Sequence, residues 1–147
     1  MTTKQLASGT IAGGVVFFVT GYLLWGLAFA GFFETNTVGP AGLMKEAPDF
    51  LMLGIGQLLF GGLLTVIFGQ WASISTAAGG AKAGAIIGLL VGFGIDLTLF
   101  GTMNLFSFTA TVVDALLVAV QTAIAGAVVG AVLGMTKESG GAAAPAM

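Results

Sequence analysis

The chain has 147 residues, 57% of them hydrophobic and only 7% charged, with a formal net charge of −2. Soluble proteins carry about a quarter of their residues as charged side chains, so this composition excludes an ordinary soluble domain. The four lysines form no basic stripe for nucleic acid. The chain contains neither cysteine nor histidine, so thiol chemistry is excluded and the usual metal and haem sites lack their commonest ligand. The sequence predicts no cofactor and no metal site.

Four long apolar stretches follow one another along the chain, over residues 10–33, 50–72, 83–105 and 112–135. Each has the roughly twenty residues that a helix needs to cross about 30 Å of hydrocarbon. The first stretch is longer than the apolar region of a signal peptide, so we expect it to be retained. The sequence therefore predicts an all-α integral membrane protein with four transmembrane helices, packed as two tandem antiparallel hairpins. We expect one domain over residues 1–137 and a disordered, low-complexity tail over residues 138–147.

The two predicted hairpins resemble each other. Residues 12–16 (AGGVV) match residues 83–87 (AGAII), and Gln57 in the second span corresponds to Gln121 in the fourth. The sequence therefore suggests an internal repeat, with both copies in the same orientation across the membrane.

The lysines predict the orientation. Lys4, Lys82 and Lys137 fall on the side of the two termini, whereas Lys45 falls in the loop between the first two spans. Because cytoplasmic loops carry an excess of lysine and arginine, we expect a multi-pass protein of the cytoplasmic (inner) membrane with both termini in the cytoplasm.

The last two spans carry glycine at every fourth position, a spacing that lets helix backbones approach closely in lipid. The glycines that we predict to pack the two helices together, as a glycine zipper, are Gly84, Gly88, Gly92, Gly126, Gly130 and Gly134. If the two helices fold back about a turn at residues 106–111, the antiparallel register pairs Gly84 with Gly134, Gly88 with Gly130 and Gly92 with Gly126. Continued outward, that register sets Asp96 opposite Thr122.

Asp96 is the main candidate for a functional residue, because it lies well inside an apolar span. An ionised carboxylate there costs about 2.5–3.5 kcal/mol on insertion scales, and such residues commonly mark ion or proton sites. No lysine lies at its depth, so we expect Asp96 to be protonated or solvated through a cavity. Two interpretations stay open: a proton or cation site formed with Thr122 and Gln121, or a neutral side chain that bonds to one of them and fixes the helix register.

Other polar and aromatic residues in the spans have simpler interpretations. Thr111 and Asp114 have the spacing of a capping box, which predicts Asp114 in the first turn of the fourth span. Gln57 and Gln121 are expected to bond across helices. Trp25 is expected in the aromatic belt at the membrane surface.

The sequence favours a small structural or accessory subunit of the membrane, packed through glycine-rich helix faces. Its expected partners are the lipid bilayer and either further copies of the chain or a larger membrane complex. The alternative is a small proton- or cation-coupled transporter or channel that uses Asp96. No pair of nucleophile and base is present, so no catalytic residue and no enzymatic activity are predicted. A polar path to Asp96 would favour the transporter, whereas a dry, packed site would favour the subunit.

Overall fold

The computed structural model describes residues 1–43 and 45–141, the side chains of residues 138–141 excepted. The described chain forms five α-helices and two π-helical segments. In chain order they are α1 (Thr3–Gly21), a π segment (Tyr22–Ala28), α2 (Ala30–Asn36), α3 (Phe50–Val66), a second π segment (Ile67–Ala72), α4 (Ala77–Thr102) and α5 (Phe108–Gly141).

The predicted fold class is confirmed. Among the described residues, the stretches long and apolar enough to cross a membrane are Thr3–Ala28, Phe50–Ala72, Ala77–Thr102 and Phe108–Lys137. Their outward faces carry large exposed apolar side chains, as contact with lipid requires. Helix α5 continues to Gly141, into the segment predicted as a disordered tail. The rest of that tail, residues 142–147, lies outside the described residues.

Short polar side chains fix where the helices begin. Asp49 caps α3, as its position suggests, by accepting a hydrogen bond from the Met52 backbone N–H at 3.1 Å. The Ser107 hydroxyl accepts a hydrogen bond from the Ala110 N–H at 3.2 Å, at the start of α5. The predicted capping box at Thr111 is therefore wrong, because α5 has already begun at that point. Asp114 lies nearly two turns inside the helix rather than in its first turn.

The long helices form two antiparallel hairpins, α1 with α3 and α4 with α5. Helix α1 also packs against α5, so the order across the bundle is α3, α1, α5, α4. Helices α3 and α4, at the two ends of this order, barely contact each other, and a groove opens between them.

The loops that close the two hairpins meet at one end of the bundle, which we call the loop end. The Val38 N–H donates to the Leu105 carbonyl at 2.9 Å, and the Ser107 N–H donates to the Asn36 carbonyl at 2.9 Å. The N-terminus, the connection between α3 and α4, and the C-terminal part of α5 lie at the opposite end, which we call the terminal end.

The α4–α5 contact is the most extensive between any two described helices, but its predicted register is wrong. A Cβ added to Gly80 would lie 2.0 Å from the Gly126 carbonyl oxygen, so Gly126 faces Gly80 rather than Gly92. Gly92 instead faces Ala115. The physical reason is the early start of α5 at Phe108, because moving the turn toward the N-terminus slides one helix along the other.

Two buried clusters flank the middle of the bundle in the described chain. The first, toward the terminal end, consists of Phe17, Leu64, Phe68, Ala125, Val129 and Leu133. The second, toward the loop end, consists of Phe33, Ala110 and Leu117. On α5, Gln121 and Thr122 lie between these two clusters, whereas Asp114 lies between Ala110 and Leu117 of the second.

Candidate ion site

Two carboxyl groups meet across the α4–α5 interface. Asp96 on α4 and Asp114 on α5 are neighbours in the lining of two adjoining cavities, and we refer to them as the carboxyl pair. A hydrogen bond between two carboxyl groups requires a proton on one of them. Two negative charges in contact would repel each other. The pair is therefore suited to hold one proton, or one cation, between its members.

Asp114 is held by a donor from a different helix. The Trp25 indole N–H donates to Asp114 Oδ1 at 2.5 Å. Trp25 lies in the π-helical segment that extends α1, where the Phe29 N–H donates to the Leu24 carbonyl at 2.8 Å. Segments of this kind are rare and often occur at functional sites. Trp25 thus orients Asp114, and its place in an aromatic belt stays a prediction.

Asp96 has an oxygen that the protein leaves without a donor. Among the described residues, no N–H or O–H donates to Asp96 Oδ2, although this atom is buried. A buried polar atom without a partner typically costs about 1–3 kcal/mol, so its presence calls for an explanation. A proton or cation held at this oxygen would supply one.

A cavity of about 250 Å³ adjoins the carboxyl pair, and we call it the main cavity. It is bounded by α3, α4 and α5 and by Phe17 of α1. Besides the pair, its polar lining consists of Gln57, Gln121 and Thr122. No lysine belongs to the described lining. Toward the terminal end, Ile87 packs against the first buried cluster, which closes the cavity on that side.

A second cavity of about 60 Å³ lies on the loop-end side of the pair. Its lining includes Leu105, Phe106 and Thr111 together with both carboxyl groups. The carboxyl pair therefore adjoins two cavities, one leading toward the loop end and one opening into the groove between α3 and α4.

The structure places Gln121 and Thr122 in the lining of the main cavity, but neither bonds to Asp96 in the described chain. The Gln121 side-chain amide donates to the Phe17 carbonyl at 2.8 Å and so ties α5 to α1. Thr122 packs against Gly88, where a Cβ would lie 2.8 Å from its hydroxyl oxygen. The dry interface in which Asp96 bonds to one of these two side chains is therefore not the arrangement observed.

Sequence reasoning missed Asp114 and Trp25 as members of the site. The signal for Asp114 was present in Ser107, a second capping residue one turn before Thr111. Choosing Ser107 as the start of α5 would have moved Asp114 toward Asp96. The described part of the chain contains no group of three or more acidic side chains suited to a metal ion.

No protein-family model matches the chain, and neither a curated protein nor a solved structure matches it. A fold class alone does not assign a function, and four-helix membrane bundles serve many. The function of the protein is therefore inferred from the geometry of the site.

Proposed function

We propose that the protein is a small membrane transporter or channel that binds a proton or a monovalent cation at the carboxyl pair. The observation that carries this proposal is the position of the pair, which adjoins both cavities with one buried oxygen lacking a donor. Ionisable residues inside a membrane bundle that face a cavity typically mark ion pathways.

The chemistry of the pair suggests an exchange. With one shared proton, the pair carries a single negative charge. When a monovalent cation binds between the carboxyl groups, the shared proton leaves. The two carboxylates then carry two negative charges, and the bound cation compensates one of them. The site therefore carries the same single negative charge in both states, so the exchange does not add to the cost of holding that charge inside the bilayer. Complete transport also requires the first buried cluster to open, because it closes the terminal end.

A second candidate is a structural or accessory subunit that forms homo-oligomers or joins a larger membrane complex. The observation that favours it is the groove between α3 and α4, which a helix from a partner would fill. The close α4–α5 contact through small residues would then serve assembly of the hairpin. Under this alternative, a partner group would satisfy Asp96, and the isolated chain would show no flux.

We also propose a location. Lys4 and Lys82 lie at the terminal end, as does Lys137 near the end of the last span, whereas Lys45 follows α2 at the loop end. This asymmetry supports insertion into the cytoplasmic (inner) membrane with both termini in the cytoplasm. The proposed role is non-enzymatic and needs no cofactor.

The experiment is a flux assay in liposomes that enclose a pH-sensitive dye. We expect the reconstituted protein to dissipate a proton gradient when a monovalent cation is present on the opposite side. Asp96→Asn and Asp114→Asn remove the titratable groups and should each abolish the flux. Glu34→Gln, the same chemical change at an exposed residue, should leave it unchanged. Native protein that is folded but inactive, or flux that survives in Asp96→Asn, would contradict the proposal.

A further inference from the structure

We infer that the main cavity binds a small lipophilic organic cation, which enters from the bilayer through the gap between α3 and α4. This inference rests on the proposed function and names its substrate class. Three properties of the cavity support it: where it opens, how large it is, and which charges line it.

The cavity opens toward lipid. Four apolar side chains that line the cavity are also exposed: Phe60 (45% exposed) and Leu63 (44%) on α3, and Val91 (38%) and Ile95 (50%) on α4. These residues form the two lips of the groove. An inorganic ion would lose its hydration shell on passing such lips. A lipophilic cation already dissolves in the bilayer and can reach the groove from there.

The cavity is too large for a bare ion. Its volume of about 250 Å³ far exceeds the roughly 30 Å³ that one water molecule occupies in the liquid. It approaches the range of about 300–1,000 Å³ typical of sites for small organic ligands. The Phe17 and Phe60 rings, whose centroids lie 5.9 Å apart, both line it. Aromatic rings of this kind attract organic cations.

The charges select a cation. The described lining carries two acidic side chains and no basic one, with Gln57 and Gln121 as neutral polar groups. An anion would meet the negative charge of the carboxyl pair. A cation would replace the shared proton, which then leaves through the smaller cavity toward the loop end, so that one positive charge enters for each one released.

Binding is measured with methylphenylpyridinium, an aromatic cation, on protein in lipid nanodiscs. The chain has two tryptophans, and Trp71→Phe leaves Trp25, which contacts Asp114, as the reporter. We expect a saturable change of Trp25 emission that weakens as the pH falls, because protons compete for the pair. Methylbiphenyl, a neutral molecule of the same shape, should give no saturable change. Asp96→Asn should abolish the response, and Glu34→Gln should keep it.

The entry route is tested separately, with a variant that leaves the carboxyl pair intact. Ile95→Phe narrows the lip on α4 and should slow probe binding in stopped-flow fluorescence. Ile86→Phe is the matched control, because Ile86 lies on the same helix, is 61% exposed and does not line the cavity. Equal rates for the two variants would overturn lateral entry.

Failure of this inference is distinguishable from failure of the proposed function. A response to methylbiphenyl equal to that of the cation, or no saturable response in the native protein, would overturn the organic-cation class. Proton exchange against sodium or potassium that still requires Asp96 would then leave the proposed function standing. Saturable binding of the probe without any flux would instead support the cation site and contradict transport.

Discussion

The close approach of α4 and α5 makes Gly84→Ala a sharp test of the fold. A Cβ added at Gly84 would lie 2.2 Å from the Thr122 carbonyl oxygen and 3.2 Å from the Ala123 Cα. Both neighbours are backbone atoms, so no side chain can rotate away. Gly94 lies on the same helix. Apart from its chain neighbours and the nearby backbone of its own helix, no described atom comes within 4 Å of a Cβ added there. Gly94→Ala is therefore the matched control.

The magnitude follows from the size of the clash. A carbon–oxygen contact needs about 3.3 Å, so the helices would have to separate locally by about 1 Å at Gly84. Forcing extra volume into a packed interface typically costs about 1–3 kcal/mol. Alanine also favours a helix over glycine by about 1 kcal/mol, and this gain is common to both variants. The difference between Gly84→Ala and Gly94→Ala therefore isolates the cost of the clash, about 1–3 kcal/mol.

The assay is unfolding by sodium dodecyl sulfate in mixed micelles, followed by circular dichroism. We expect Gly84→Ala to have the lower free energy of unfolding and Gly94→Ala to match or exceed the native protein. Equal stability of the two variants, within about 0.5 kcal/mol, would refute the close backbone contact between α4 and α5.

Three further experiments test other contacts and the topology. Trp25→Phe removes the donor to the carboxyl pair, so we expect the free energy of unfolding to fall by about 1–3 kcal/mol. Trp71→Phe, at a side chain that is 73% exposed, should not change it, and equal effects of the two would contradict the bond. Gln121→Leu removes an interhelical hydrogen bond and should lower the same quantity by about 0.6 kcal/mol; an unchanged value would mean that the bond contributes nothing. Because the chain has no cysteine, Ala41→Cys and Ala78→Cys each introduce a single thiol. An impermeant thiol reagent added to intact cells should label the first variant only, and labelling of the second alone would reverse the orientation.

The spans and one helix cap were predictable because they depend on local chemistry. The second span, predicted over residues 50–72, coincides with Phe50–Ala72 in the structure. Asp49 caps it as expected. Span length follows from the thickness of the bilayer, and a cap follows from a side-chain oxygen near free backbone N–H groups. Neither depends on where the neighbouring helices lie.

The carboxyl pair was not predictable in the same way, because it depends on the register between two helices. Choosing Thr111 rather than Ser107 as the cap placed the start of α5 four residues too late, at residue 112 instead of Phe108. That error brought Thr122 opposite Asp96 and left Asp114 aside. The contact with Trp25 was also hidden, since the sequence gives no sign of a π-helical segment there. The internal repeat and the oligomeric state stay predictions, and a native mass measurement in mild detergent tests the second of them.

An exchangeable proton on the carboxyl pair is tested most directly by modification with dicyclohexylcarbodiimide. This apolar reagent enters the bilayer and converts a protonated carboxyl group into a stable N-acylurea, which mass spectrometry locates in the chain. We expect one adduct per chain, on Asp96 or Asp114, that forms more slowly as the pH rises or as the competing cation is added. A carboxyl pair that stays unmodified, or that reacts no faster than the exposed Glu34, would contradict a shared proton at this site.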